Sequence, residues 1–288
     1  VFNIQLLQNI WKFALSLNLI SFFGLIIFQV DLLFVSHKYT LDFFGYYNLA
    51  VMVSSGLTML VSPINLTFFP RFSVLVAEKN DDLFRQTYHQ ACQLVSVAVL
   101  PAASVCILFS QTIIRIWTGN SEIASQSAAI TSILVAGTAL NALNAIPYQA
   151  QISHGWSLLA LITNIISLPI IIGMIFFLNS LVGFVGVAYV RIVYALLLLI
   201  VIVLFMFKHI LIGELKMWIF RDIVPAIFVC TGLGIVKIIT DSINMSILNN
   251  ITGILFFSIA IQILTILSME YTRGKLYEFV KVFLIRGK

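Results

Sequence analysis

The chain has 288 residues and a formal net charge of +5; 61% are hydrophobic and only 9% charged, with a mean hydropathy of +1.08. A soluble domain is about 45–50% apolar and about 25% charged, so this composition excludes a water-facing surface of matching size, and the solvent has to be lipid. The positive charges lie between apolar runs and in the tail, without a basic groove, which argues for orientation in a membrane and against nucleic-acid binding.

Read with a window of ~20 residues, the chain shows eight apolar runs. They lie at roughly 13–36, 43–69, 87–110, 124–150, 156–178, 183–207, 222–241 and 247–269. The expected fold is an all-α polytopic membrane protein with about eight transmembrane helices. No connection exceeds about 17 residues, which leaves no room for an extramembrane domain. Asn179-Ser180 with Gly183, and Asn249-Asn250, mark turns, while all six prolines fall within or at the ends of runs.

The basic residues test the count. Lys12, Arg71, Lys79, Arg85, Lys208, Lys216, Arg221, Arg273, Lys275, Lys281, Arg286 and Lys288 fall on one side, Lys38 and Arg115 on the other. Arg191 and Lys237 sit inside runs. Twelve against two places the richer side, with both ends of the chain, in the cytoplasm. One missed span would flip every later connection and destroy the asymmetry.

Cys92, Cys106 and Cys230 all lie in apolar runs, and neither a disulfide framework nor a metal-ligand spacing is present. His37, His89, His154 and His209 are scattered near span ends. Glycosylation-like triplets at Asn65, Asn244 and Asn250 are read as chance. No phosphate-binding glycine loop, His-x-x-x-His pair or Gly-x-Ser-x-Gly elbow occurs, which rules out an ATP-driven pump in this chain alone. No catalytic residue, metal or cofactor is expected, and the chain is not read as an enzyme.

Polar groups inside the bilayer are costly, so their positions are where function is sought. Asp31 lies late in the first run, with Lys38 seven residues on and nearly on the same helical face. Two readings stand side by side: an acid in a polar cavity that binds a cation or proton or pairs with a base, and an interfacial residue paired with Lys38. The second run carries a polar stripe at Asn48, Ser55, Thr58, Ser62 and Asn65. The fourth repeats it with Gly137, Asn141, Asn144, Tyr148 and Gln151. These spacings keep each stripe on one face, as a hydrophilic pathway or a helix–helix contact would need. The long amides Asn48, Asn65, Asn141 and Asn144 point to the pathway, because each must find hydrogen-bond partners. Arg71 and Arg115 can snorkel to the interface. Arg191, about two turns into the sixth run, either does the same or faces a cavity where it attracts an anionic group such as phosphate.

The run Gln29-Val30-Asp31, then Gly45-Tyr46-Tyr47-Asn48-Leu49-Ala50, then Phe69-Pro70-Arg71-Phe72-Ser73 resembles the middle of polysaccharide transporters. These are the O-antigen and capsule flippases of the multidrug/oligosaccharidyl-lipid/polysaccharide exporter superfamily. Asn164 with Pro169 and the Gly183, Gly186-Val187-Ala188 turn also look like that family, so the resemblance covers about residues 10–210. It implies a second six-helix lobe over residues 1–208 and an appended helix pair with a basic tail over 209–288, in a chain lacking its first lobe. Val1 in place of Met fits truncation or processing. The implied activity is ion-coupled translocation of an undecaprenyl-diphosphate-linked oligosaccharide across the bacterial cytoplasmic membrane. Membrane lipids and polysaccharide polymerase or assembly proteins are the expected further partners.

In that reading Arg191, supported by Arg71 or Arg115, attracts the diphosphate. Asn48, Asn65, Asn141 and Asn144 contact sugar hydroxyls, and Asp31, with Lys38 beside it, couples ion movement. Three alternatives stand: a drug/cation antiporter of the same superfamily, a membrane polysaccharide polymerase or ligase, and a non-transporting scaffold. The antiporter would want more deep acids than Asp31, and the polymerase a large outer loop.

Overall fold

A computed structural model describes residues 4–242 and 251–286, and all secondary structure within them is helical. In chain order the helices are α1 (Ile4–Lys38), α2 (Leu41–Ala77), α3 (Asp81–Leu108), α4 (Ser110–Thr118), α5 (Ser121–Leu143), α6 (Ala145–Ser153) and α7 (Ser157–Val182). A 3₁₀ segment, Gly183–Tyr189, then leads into α8 (Val190–Val201), which continues through a π turn to His209. The last three are α9 (Val224–Ser242), entered through a π segment Trp218–Ile223, α10 (Ile251–Ser268) and α11 (Glu270–Arg286). The Asn249-Asn250 turn and the triplets at Asn244 and Asn250 lie outside the described residues.

Seven of these helical stretches are long and apolar enough to cross a membrane. The fifth, Ser157–His209, has 53 residues. Straight, it would be roughly 80 Å long, far more than a bilayer core of about 30 Å needs. It is instead folded back at Gly183 (φ 69°), and α7 and α8 pack side by side, with the Tyr194 hydroxyl donating to Asn164 Oδ1 at 3.2 Å. The stretch thus supplies two passes, and the chain is an all-α multi-pass membrane protein. Leu66, Phe228 and Phe256 stand fully outward, as lipid-facing side chains do.

Several boundaries differ from those expected from hydropathy. Helix α2 runs through Pro63 and Pro70 as far as Ala77, and only residues 78–80 separate it from α3. Asn80 begins α3 early: its side chain accepts from the Leu83 amide at 3.2 Å, and Asp81 and Asp82 favour the positive end of the helix. The fourth run breaks at Asn144 into α5 and α6, with Pro147 in the first turn of α6, where no intrahelical donor is lost. The basic tail, expected only as tail, is helix α11. Hydropathy misses these extensions because Pro70 and Arg71 read as a stop for α2, while the charges over 81–86 and in α11 are hydrophilic yet helix-compatible.

Helix α2 packs on α5 and α3, α1 on α7, and α5 on α8. One buried cluster, with Phe72, Tyr88, Val99 and Trp218, ties α2, α3 and α5 to the entry of α9. A second, with Ile27, Tyr47, Leu134, Ile175 and Tyr194, joins α1, α2, α5, α7 and α8. Helices α9 and α10 pack on α3 through Phe109, Cys230 and Phe257. Cys92 and Cys230 are buried and all three cysteines are free. Arg71, Arg85, Arg221 and Lys275, counted to one membrane side from the sequence, do lie together around a single cavity.

Candidate functional site

Asp31 is 2% exposed and turned into the bundle. Its Oδ2 accepts from Arg191 Nε at 2.9 Å and from the Tyr47 hydroxyl at 2.8 Å, while Oδ1 accepts from the Leu32 amide at 2.8 Å. A carboxylate held away from water needs such partners, since burial of a lone ion costs several kcal/mol. Arg191 also reaches the Phe28 carbonyl at 3.5 Å. The alternative pairing with Lys38 does not form: Lys38 is exposed at the end of α1, its ammonium 5.4 Å from the Phe34 ring centroid. Its helical face is nearly that of Asp31, but it lies a further two turns along.

Glycines set this geometry. A Cβ on Gly186 would lie 2.2 Å from the Leu178 carbonyl oxygen, so only glycine lets the 3₁₀ segment close against the end of α7. A Cβ on Gly137 would lie 2.9 Å from Arg191 Cβ, so α5 and the start of α8 touch backbone to backbone. Because the 3₁₀ segment occupies Gly183–Tyr189, Arg191 sits in the first turn of α8, not two turns in. Tyr39, hydrogen-bonded to Asn179, ties the end of α1 to the end of α7.

One turn further into the bundle lies a cavity of about 420 Å³, bounded by α1, α2, α5, α6, α7 and α8. The two polar stripes meet in it: Thr58, Ser62 and Asn65 from α2 face Thr138, Asn141, Asn144, Tyr148 and Gln151 from α5 and α6. Tyr194 and Phe28, whose rings meet edge to face at 5.9 Å, line its end and separate it from the Asp31–Arg191 pair. Asn144 donates to the Ala195 carbonyl at 3.2 Å, yet its Oδ1 is buried with no protein partner. The same holds for Asn65 Oδ1 and Thr138 Oγ1. Buried polar atoms are normally satisfied, and three unsatisfied ones around one cavity are what a hydroxyl-rich guest would complete.

Other residues singled out from the sequence lie elsewhere. Asn48 is half-buried on α2 and does not line the cavity. Arg115 is exposed near the end of α4. Arg71 is exposed and borders a separate cavity of about 780 Å³. Sequence reasoning missed that cavity's main feature, because His89 looked isolated. His89 Nδ1 meets Asp222, its Nε2 is 3.2 Å from Glu214, and Gln93, one turn on, donates to Asp222 at 3.0 Å. The available signal was the i, i+4 spacing of His89 and Gln93 together with an acid at the start of an apolar run.

Residues 1–126 match the family model described as polysaccharide biosynthesis protein. The stretch holds Asp31, Tyr47, the α2 stripe and Arg71, so the resemblance read from those motifs is borne out there. The match covers less than half of the chain and likens that stretch to polysaccharide biosynthesis proteins. Comparison with curated proteins and with solved structures returned no match.

Proposed function

We propose that this chain is the second lobe, residues 1–208, of a two-lobe flippase, with 209–288 as an appended helix pair. The lobe moves an undecaprenyl-diphosphate-linked oligosaccharide from the inner to the outer leaflet of the bacterial cytoplasmic membrane, both of its ends cytoplasmic. Polysaccharide polymerase or assembly proteins take the product. The observation that carries this reading is the cavity whose buried Asn65, Thr138 and Asn144 oxygens have no protein partner, one turn from a buried acid–base pair.

The amides Asn65, Asn141 and Asn144 hydrogen-bond sugar hydroxyls. Arg191, held by Asp31, does not present a free charge to the diphosphate. The diphosphate competes with the Asp31 carboxylate for the guanidinium, and a proton or cation on Asp31 releases Arg191 to it. Arg71 attracts the head group at the cytoplasmic mouth. The pairing weakens the antiporter alternative, since the lone deep acid of α1–α8 already has a cationic partner.

The test is complementation of a flippase-deficient strain with the two-lobe protein carrying Arg191→Gln, Asp31→Asn or Asn141→Leu. The reading expects surface polysaccharide to fall by more than the amount of folded protein in the membrane does. Full surface polysaccharide in all three variants would remove these residues from the mechanism.

A further inference from the structure

The second cavity poses a question of charge balance that transport does not address. Asp222, at the entry to α9, is 0% exposed. Its Oδ1 accepts from Gln93, and Gln93 is fixed in that orientation because its own Oε1 accepts from the Tyr271 amide at 2.9 Å. Oδ2 meets His89 Nδ1. The other ring nitrogen faces Glu214 Oε2 at 3.2 Å. A neutral imidazole has one N–H and one lone pair. In either tautomer the lone pair faces a carboxylate, that of Asp222 or that of Glu214, which is repulsive; one more proton, giving an imidazolium, lets both nitrogens donate.

The surrounding charges do not supply a substitute. Arg85, on the same helix as His89, pairs with Glu214 at 3.3 Å. Arg221 is drawn to Glu270 at 2.9 Å and Lys275 to Glu278 at 2.7 Å. Arg71 reaches the cavity from α2 without an ion pair among the described residues, and His154 at the end of α6 meets the Phe84 ring edge to face. Tyr88 packs beside the His89 ring. Among the described residues, His89 is the one basic side chain within ion-pair distance of Asp222. The three side chains present no shared vertex for a metal, as His89 lies between the two carboxylates.

We infer that His89 and Asp222 form a proton-binding site that latches the appended helices onto the lobe. His89 and Gln93 stand on α3, Glu214 on the connection after α8, Asp222 at the entry to α9, and Tyr271 on α11. The protonated ring joins α3 to the connection after α8 and to the entry of α9, and Gln93 extends the tie to α11 through the Tyr271 amide. His89 and Glu214 line the 780 Å³ cavity, which gives the proton a route to and from water. Loss of the proton leaves one ring nitrogen with a lone pair facing Asp222 or Glu214, releases that carboxylate, and loosens the stretch between them that leads into α9. The latch is closed while the proton is held and opens as pH rises through its titration.

The experiment uses the full chain in lipid nanodiscs, with amide hydrogen exchange over residues 215–226, corrected for intrinsic rate, between about pH 5.5 and about pH 9. Protection in the unaltered chain is expected to fall by about tenfold as pH rises. In His89→Gln it should be independent of pH. Constant protection in the unaltered chain, or the same pH response in His89→Gln, would overturn the latch. Should His89→Gln fail to fold, ¹⁵N-histidine spectra of the unaltered chain decide, assigned by substituting His37, His154 and His209 in turn. A His89 ring that takes up a second proton within this range supports the site, and one that does not sinks it.

Discussion

The Nε–H of Arg191 meets the buried Asp31 carboxylate at 2.9 Å, across 160 residues of sequence. This contact fastens α1 to α8, and Tyr47 brings in α2 through the same oxygen. A buried pair adds little over an apolar replacement, but removing one partner strands the other. Arg191→Gln should therefore cost about 3–5 kcal/mol, and Asp31→Asn/Arg191→Gln together much less than the sum of the singles. Thermal or denaturant unfolding in detergent, arranged as a double-mutant cycle, checks this. Strictly additive losses would show that the two side chains are not coupled.

Tyr47→Phe keeps the ring in its buried place and removes a hydroxyl that donates to a charged acceptor. The expected loss is about 1.5–3 kcal/mol, smaller than for Arg191→Gln. An unfolding midpoint identical to that of the unaltered chain would mean that Arg191 satisfies Asp31 alone.

Gly186→Ala pushes a methyl group into the Leu178 carbonyl, whereas Gly173 has nothing within 4 Å of its built Cβ. The first substitution should destabilise by about 3 kcal/mol or more and lower the amount of folded protein. The second should stay near neutral or stabilise slightly, alanine being the better helix former. Size-exclusion profiles and melting curves of the two variants compare them directly.

Asn65→Leu separates stability from transport. Its Oδ1 is buried without a protein partner, so an apolar side chain of similar volume removes an unsatisfied acceptor. Stability should rise by about 1 kcal/mol, while oligosaccharide export by the two-lobe protein falls. Unchanged export would detach this amide from the cavity's role.

Lys38→Gln and Arg115→Gln lie outside the cavity and make no ion pair among the described residues. Each should shift stability by less than about 0.5 kcal/mol and leave surface polysaccharide intact. A loss of export in either would draw it back into the site.

The sequence alone determined the membrane architecture, since lipid admits only long apolar helices and punishes every charge within them. That is why the passes, the turn at Gly183 and the oddity of Asp31 and Arg191 were legible before any coordinates. Helical period also grouped Asn65 with Thr58 and Asn141 with Asn144, because a stripe is a local property of one helix. Which neighbour covers a stripe is not local. Only the tertiary structure decided that Asp31 turns to Arg191 and not to Lys38, that Asn48 falls outside the cavity its stripe enters, and that His89 meets Asp222. Those pairings join residues more than a hundred positions apart, and they depend on packed helices whose close crossings, at Gly137 and Gly186, are steric facts of the assembled bundle.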